Sequence, residues 1–455
     1  MSSTGIDCGK VKALTDREMT DFAQARPRCR TASAQAAKAL MWGVPMAWQA
    51  GIEGPFSVFT DTASGNRVWD IDGHEYLDFS MGVYASLSHG HPSYIEPLKR
   101  SMDMGLQHQC PSVIAIDVAN ELNRRFGDFR WNFSLNGTDA NRWSIRLARH
   151  LTGKSKIAIP NFAYHGTIEE VQVIRNDRGI VGYYPSDVGT PPALAGERTR
   201  IFEFNDLESL EQELAAGDVA VVMMEPAMTN IGLAMPEPDF LKGVRELTRK
   251  YDTLWLIDET HTIWSGPAGL TGRWQLEPDI WTAGKSIGGG VPAGVFGFRE
   301  PLGQRISETL HHSGEGLVGI GGTFSGSVHS LTGIYLNLTE MFTEENFTTI
   351  NSMAARLRNG IADSIQSREL PWHPGPELGA RVTYHFTPEP VRTMTDYVRD
   401  VHDDELTYLI NLYMLNRGVM CMSFNNCLMV SSSSSAGDID RAASIFDSCL
   451  NELVA

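Results

Sequence analysis

A lysine and an acid, each set among small residues, are the side chains of this sequence best placed to do chemistry. Lys285 lies in Ala283-Gly284-Lys285-Ser286-Ile287-Gly288-Gly289-Gly290, where glycines bring backbone close and leave little room for neighbours. An amine desolvated in such a setting loses its proton and becomes a nucleophile; the plainer alternative is a solvated lysine on a flexible loop. A phosphate loop of the form G-x-x-x-x-G-K-[ST] does not fit, because its first glycine position holds Asp279. Asp258 follows the apolar run Leu256-Ile257 and precedes Glu259-Thr260-His261. An acid just past a buried strand stands at the carboxyl edge of a parallel sheet, where such sheets carry their active sites; alone, it reads equally well as a helix cap or a turn acid. Gly137 and Thr138 open the segment Asn136-Gly137-Thr138-Asp139-Ala140-Asn141, which runs into the helical pattern Arg142–Arg149. A glycine and a hydroxyl there leave free N–H groups at a positive dipole end, which makes an anion site or simply an N-cap. Gly321-Gly322-Thr323-Phe324 is a second small, hydroxyl-bearing loop, and Tyr164-His165-Gly166 sets an aromatic just past Pro160.

Positioning these groups requires strands. Residues 156–159, 219–224 and 253–257 are short continuous apolar runs, the signature of strands buried on both faces. Between them, residues 207–214 and 240–251 alternate charged and apolar residues at helical spacing. Buried strands alternating with amphipathic helices give an α/β fold with a mostly parallel central sheet. Nearer the start, residues 56–60 and 66–70 read as a strand pair around Ser64-Gly65, with the next turn at Asp72-Gly73. Beyond about residue 335 the texture is helical, with strand candidates at 381–386 and 427–431. The expected organisation is a large domain over 76–335 and a smaller α/β domain built from both chain ends, 1–75 and 336–455.

The composition excludes several classes of function. With 38 Lys plus Arg against 55 Asp plus Glu, the 455-residue chain carries a formal charge of −17, so a nucleic-acid partner is disfavoured. The best apolar stretch, residues 39–48, is too short to span a bilayer and is interrupted by Pro45. The opening MSSTGIDCGK lacks a secretory pattern, and the six cysteines form no C-x-x-C or zinc-like pairing. A cytoplasmic protein with no bound metal is expected.

Taken in order, Gly137-Thr138-Asp139-Ala140-Asn141, Tyr164-His165-Gly166, Glu225-Pro226, Ile257-Asp258-Glu259, Gly284-Lys285 with its following glycines, and Gly321-Gly322-Thr323-Phe324 resemble the motifs of the class III pyridoxal-phosphate aminotransferases. The resemblance covers roughly residues 55 to 450, and the step from Asp258 to Lys285 (285 − 258 = 27) is a further match. It implies the fold type I architecture of PLP-dependent transferases and a homodimer with active sites shared at the interface. It also implies that Lys285 forms the Schiff base with pyridoxal 5'-phosphate and Asp258 pairs with the pyridine nitrogen. Gly137 and Thr138 then hold the phosphate, Tyr164 covers the ring, Glu225 stands near the cofactor, and Thr323 reaches the phosphate from the neighbouring subunit.

The chain departs from the common family pattern on the substrate side. It reads Glu225-Pro226-Ala227-Met228-Thr229-Asn230-Ile231-Gly232, with Asn230 where many members have a gating glutamate. That ending is closest to the glutamate-1-semialdehyde aminomutase branch. His261 is unusual at its position, and Gly43-Val44-Pro45-Met46-Ala47-Trp48-Gln49 offers Trp48 and Gln49 where that branch has a carboxylate-binding arginine. Trp48, Asn230 and His261 are therefore the candidate substrate residues, and Arg142, Arg146, Arg417 and the serine run 431–435 are candidates for a substrate anion. The expected activity is amino transfer from a primary amine or amino acid to a keto acid. Ammonia elimination and an intramolecular amino shift are alternatives on the same cofactor.

Overall fold

The computed structural model describes residues 4–50, 54–81, 88–176, 178–179, 181–183, 189–190, 196–230, 232–311, 319–422 and 426–455. Its centre is a seven-stranded sheet ordered Phe129–Ser134, Gly294–Arg299, Ile280–Ala283, Leu254–Asp258, Val219–Met224, Lys156–Pro160, Thr199–Phe202. Leu254–Asp258 runs parallel to both its neighbours, as does Lys156–Pro160. Gly294–Arg299 alone opposes the strands beside it.

Strand alternation divides the apolar side chains between two layers. Val221, Met223, Leu256 and Ile280 face the layer of Ala140, Ile145 and Ala148 from the helix Gly137–Thr152. Val222, Met224, Trp255 and Ile257 face Phe240 and Val244 of the helix Phe240–Lys250. With both faces covered, every residue of Val219–Met224 is buried, which is why these strands read as unbroken apolar runs.

The two chain ends share a second core. Ile6, Val11, Leu77 and Phe79 pack with Leu357, Ile361, Leu409 and Leu450. A small sheet ties them together, ordered Thr60–Ser64, Arg67–Asp70, Glu75–Asp78, Val419–Met420, with Val419 beside Leu77 in parallel register. A further pair, Arg381–Thr383 with Cys427–Met429, is antiparallel.

The first strand is a correction to the sequence reading. It spans Thr60–Ser64, fully exposed, instead of 56–60. Its place is set by pairing with Arg67–Asp70 across the turn. The apolar Phe56 is recruited elsewhere, with its ring 5.0 Å from that of Phe22 on the helix Cys8–Ala25. The pair expected at 381–386 and 427–431 is shorter than the apolar runs, yet Tyr384 and Phe386 stay buried beside Trp372. Among the described residues no helix is long and apolar enough to cross a membrane, and all six cysteines are free.

Candidate active site

Alternation along Leu254–Asp258 sends Asp258 to the same face as Leu256, under the helix Gly137–Thr152. There its carboxylate, 2% exposed, accepts from Asn141 Nδ2 at 2.8 Å, His165 Nδ1 at 2.9 Å and the Thr260 N–H at 2.9 Å. Asn141 also donates to the His165 carbonyl at 3.0 Å and accepts from Thr282 Oγ1 at 2.7 Å, so one amide ties four elements together. Burial works to raise the Asp258 pKa. The hydrogen bond and charge of His165, then the bonds from Thr260, outweigh it and hold the carboxyl below its ordinary value. The adjacent Glu259 does different work. It accepts from Thr262 Oγ1 at 2.6 Å and from the N–H groups of Leu270 and Thr271, fixing the turn beyond the strand.

Lys285 follows the neighbouring strand Ile280–Ala283 and adopts a left-handed backbone, φ 51°. Non-glycine residues in that region carry strain and concentrate at functional sites. Lys285 is partly buried, and its Nζ lies 5.9 Å from the centre of the Tyr164 ring. Burial lowers the Lys285 pKa; the charges of Asp258 and Glu225 oppose this, and that of Arg381 adds to it.

Three loops meet closely beside this lysine. A Cβ on Gly284 would lie 2.4 Å from the Gly137 nitrogen, and one on Gly166 would lie 2.3 Å from Thr138 Oγ1. Only glycine allows that approach. Asn136 caps the helix through the Asp139 N–H at 2.8 Å, while the N–H groups of Gly137 and Thr138 have no partner within the helix. Thr138 Oγ1 accepts from the Thr167 N–H at 3.2 Å.

Glu225 ends the next strand over and is also buried. Among the described residues it accepts from Thr229 Oγ1 at 2.6 Å and the Thr229 N–H at 3.2 Å, and burial pushes its pKa up to about 7. His261 Nδ1 lies 2.9 Å from the same Thr229 hydroxyl. Burial lowers the His261 pKa well below its ordinary value, and the charges of Lys285, Arg381 and His165 reinforce it. The imidazole is therefore neutral.

The structure thus gathers Asp258, Lys285, Gly137, Thr138, Tyr164, Glu225 and His261 in one region. Asn230, partly exposed, follows Thr229 in the turn closed by the Met228–Ala234 bridge. Thr323 lies on the surface, its carbonyl accepting from Gln107 Nε2 at 2.7 Å, and Trp48 is 48% exposed in the turn Ala47–Gln49; neither touches this cluster within the chain. The arginines picked from sequence for a substrate anion are engaged elsewhere. Arg142 pairs with Asp139, Arg146 binds the Gly319 carbonyl, and Arg417 pairs with Glu18. Ser435 is a helix cap, and Ser431 and Ser434 bond one another. Sequence reasoning did not single out Asn141, His165 or Arg381. The first two sat inside quoted motifs, one helical turn past Gly137 and one residue past Tyr164, and that proximity was the available signal.

The profile of the Aminotransferase class-III family matches residues 49–373. A glutamate-1-semialdehyde 2,1-aminomutase of Archaeoglobus fulgidus is 31% identical over 342 residues, 74% of this chain and 79% of that protein. The crystal structure of a glutamate-1-semialdehyde-aminomutase from Pseudomonas aeruginosa PAO1 matches with a TM-score of 0.94 and 35% identity, covering 99% of this chain and 100% of that one. A lysine-to-alanine form of the Pseudomonas protein, solved in complex with PMP, matches equally well, with TM-score 0.94, 35% identity and the same 99% and 100% coverage.

Proposed function

The chain belongs to the class III aminotransferase family, and from that premise we propose that it is a pyridoxal 5'-phosphate enzyme moving an amino group from a primary amine or amino acid to a keto acid. The observation that carries this reading is a lysine of lowered pKa beside a buried, ionised aspartate, over a cradle that only glycines permit.

The residues present fit that cofactor. Free N–H groups at Gly137 and the hydroxyl of Thr138 suit its phosphate, and the ionised Asp258 suits a protonated ring nitrogen. Tyr164 offers an aromatic face and Lys285 an amine for the aldehyde. When bound, the cofactor supplies an electron-poor ring that accepts the electron pair released at the substrate's Cα. Asp258 holds a proton on the ring nitrogen, and Asn141 and His165 fix the direction of its carboxylate. With the cofactor bound, Lys285, its amine disposed toward neutrality, would take the proton from Cα as general base and then, as general acid, give it to the cofactor's former aldehyde carbon. His261, Asn230 and Trp48 are assigned to the substrate side. With Asn230 at the gate position, we expect a narrow donor range and poor use of glutamate with 2-oxoglutarate.

The proposal includes a homodimer, with Thr323 of the partner subunit completing the phosphate site. Its support is an unusually apolar exposed surface: Met41 is 76% exposed, Trp42 65%, Val113 79%, Ile116 63% and Phe324 59%. It also includes a smaller domain from residues 1–75 and 336–455 around 76–335, and a cytoplasmic location, which six free thiols suit.

A second reading, an amino shift within one molecule, is favoured by the likeness to the aminomutases above. One experiment separates the outcomes: a panel of amines is added to the enzyme while its visible spectrum, free ammonia and products are followed. Amine-form cofactor that returns to its starting state on adding a keto acid supports transfer. Ammonia released without an acceptor establishes elimination, and an isomer of the substrate establishes the shift.

A further inference from the structure

We propose that Arg381 anchors a carboxylate of the substrate in the Lys285 site, which makes the substrate class amino acids and excludes simple alkylamines as good donors. The inference rests on the reading of that site as the one where PLP chemistry occurs.

Arg381 opens the strand Arg381–Thr383 and is 3% exposed. Among the described residues its side chain makes one hydrogen bond, from Nη1 to Cys427 Sγ at 3.4 Å, and sulfur is a weak acceptor. Burial raises the Cys427 pKa, so the thiol is neutral and supplies no countercharge. Arg26, the other buried arginine among the described residues, has the carboxylate of Asp70, and the partly buried Arg125 and Arg368 have those of Glu121 and Asp447, each at 2.7 Å. Among the described residues Arg381 has none, and its remaining N–H groups are neither bonded nor sealed off by protein. A buried cation without a partner is costly. A chain that keeps one there has a use for it that the protein alone does not display.

The location gives the use. A Cβ on Gly379, just ahead of this strand, would lie 2.6 Å from the Ser265 Cα, so the strand's entry is seated on the turn that follows His261. Ala380, Cys427 and Met429 share one core with Ala283 and Ile287, which flank Lys285. The charge of Arg381 is felt at both Lys285 and His261. The strand that carries Arg381 is thus packed against the Lys285 loop and the turn after His261, and its guanidinium is a planar fork matched to a carboxylate. It takes the place of the arginines engaged elsewhere and of the one that Trp48-Gln49 replaces.

The test uses PLP-loaded wild type, Arg381→Met and Arg381→Lys. Propionate, an unreactive carboxylate, is titrated at constant ionic strength and followed by calorimetry and by the visible spectrum. Wild type should bind it. Arg381→Met should weaken binding by about tenfold or more, as loss of a charge-assisted pair implies, with Arg381→Lys intermediate. In turnover, Arg381→Met should cut kcat/KM for an amino acid far more than for the same amine without its carboxylate. Its thermal midpoint without ligand should be no lower than that of wild type, since no ion pair is lost. Equal losses with both donors, unchanged propionate binding, or no binding to wild type overturns the proposal. Should Arg381→Met not fold, the role is structural unless Arg381→Lys, folded and PLP-loaded, shows the selective loss. If wild type takes up no PLP, the reading of the site fails instead, and the visible spectrum distinguishes the two.

Discussion

Two neighbouring parallel strands, Leu254–Asp258 and Val219–Met224, deliver buried acids to the same edge of the sheet, and the two acids behave oppositely. Asp258 and Glu225 are each 2% exposed. Asp258 receives donors from a helix, a loop and its own turn, one of them a histidine, and its pKa falls. Among the described residues Glu225 receives only Thr229, and burial carries its pKa to about 7. Equal burial gives opposite outcomes, so the donors decide. The Asp258 side is a fixed charge suited to hold a cofactor, while the Glu225 side can take up a proton near neutrality.

The largest effect expected on this contrast comes from removing the lysine that both acids act on. Lys285→Ala should abolish turnover and the visible band of lysine-bound cofactor while leaving far-UV circular dichroism unchanged. Normal turnover in that variant contradicts the site assignment. Asp258→Asn keeps the shape and discards the fixed charge, and kcat should fall about 10²-fold or more. Near-wild-type kcat means the charge is not used.

Asn141→Ala weakens the contrast from the side of the donors. It removes one bond to Asp258, one to the His165 carbonyl and one from Thr282, so stability should drop by about 1–3 kcal/mol in denaturant titration. The kcat loss should be smaller than for Asp258→Asn. A variant as stable as wild type places the orientation of Asp258 elsewhere.

Glu225→Gln has the smallest expected effect on turnover, and its signature is the pH dependence of stability. The native pKa of Glu225 lies above the ordinary 4.5, so the folded state holds the proton more tightly and stability falls as pH rises from about 4.5 to about 7. The variant has no such proton. Its thermal midpoint should gain on wild type across that window, by an amount equivalent to roughly 3 kcal/mol at most. Parallel curves show that Glu225 titrates normally.

The same contrast marks how far the sequence was legible. The strands 156–160, 219–224 and 254–258 stood out because burial on both faces leaves a continuous apolar run. Gly294–Arg299 did not. Its glycines lie where partner side chains lean in, a Cβ on Gly297 coming 2.4 Å from the Trp131 ring, and they break the β pattern. Asp258, Lys285, Gly137 and Thr138 announced themselves because each is a chemically distinctive residue at an element's end. Asn141 and His165 did not, because their use appears only when helix, loop and strand converge on one carboxylate. Arg381 was hidden in the opposite way. A single arginine opening a strand carries no local sign that every acid among the described residues will be out of its reach.

The account's central claim is that Lys285 is the residue that bonds to pyridoxal 5'-phosphate. Reducing the PLP-loaded protein with borohydride and mapping its peptides by mass spectrometry tests this most directly. One pyridoxyl group per chain, on the peptide containing Lys285, is the predicted result. Labelling of a different lysine, or no labelled peptide after PLP loading, would contradict it.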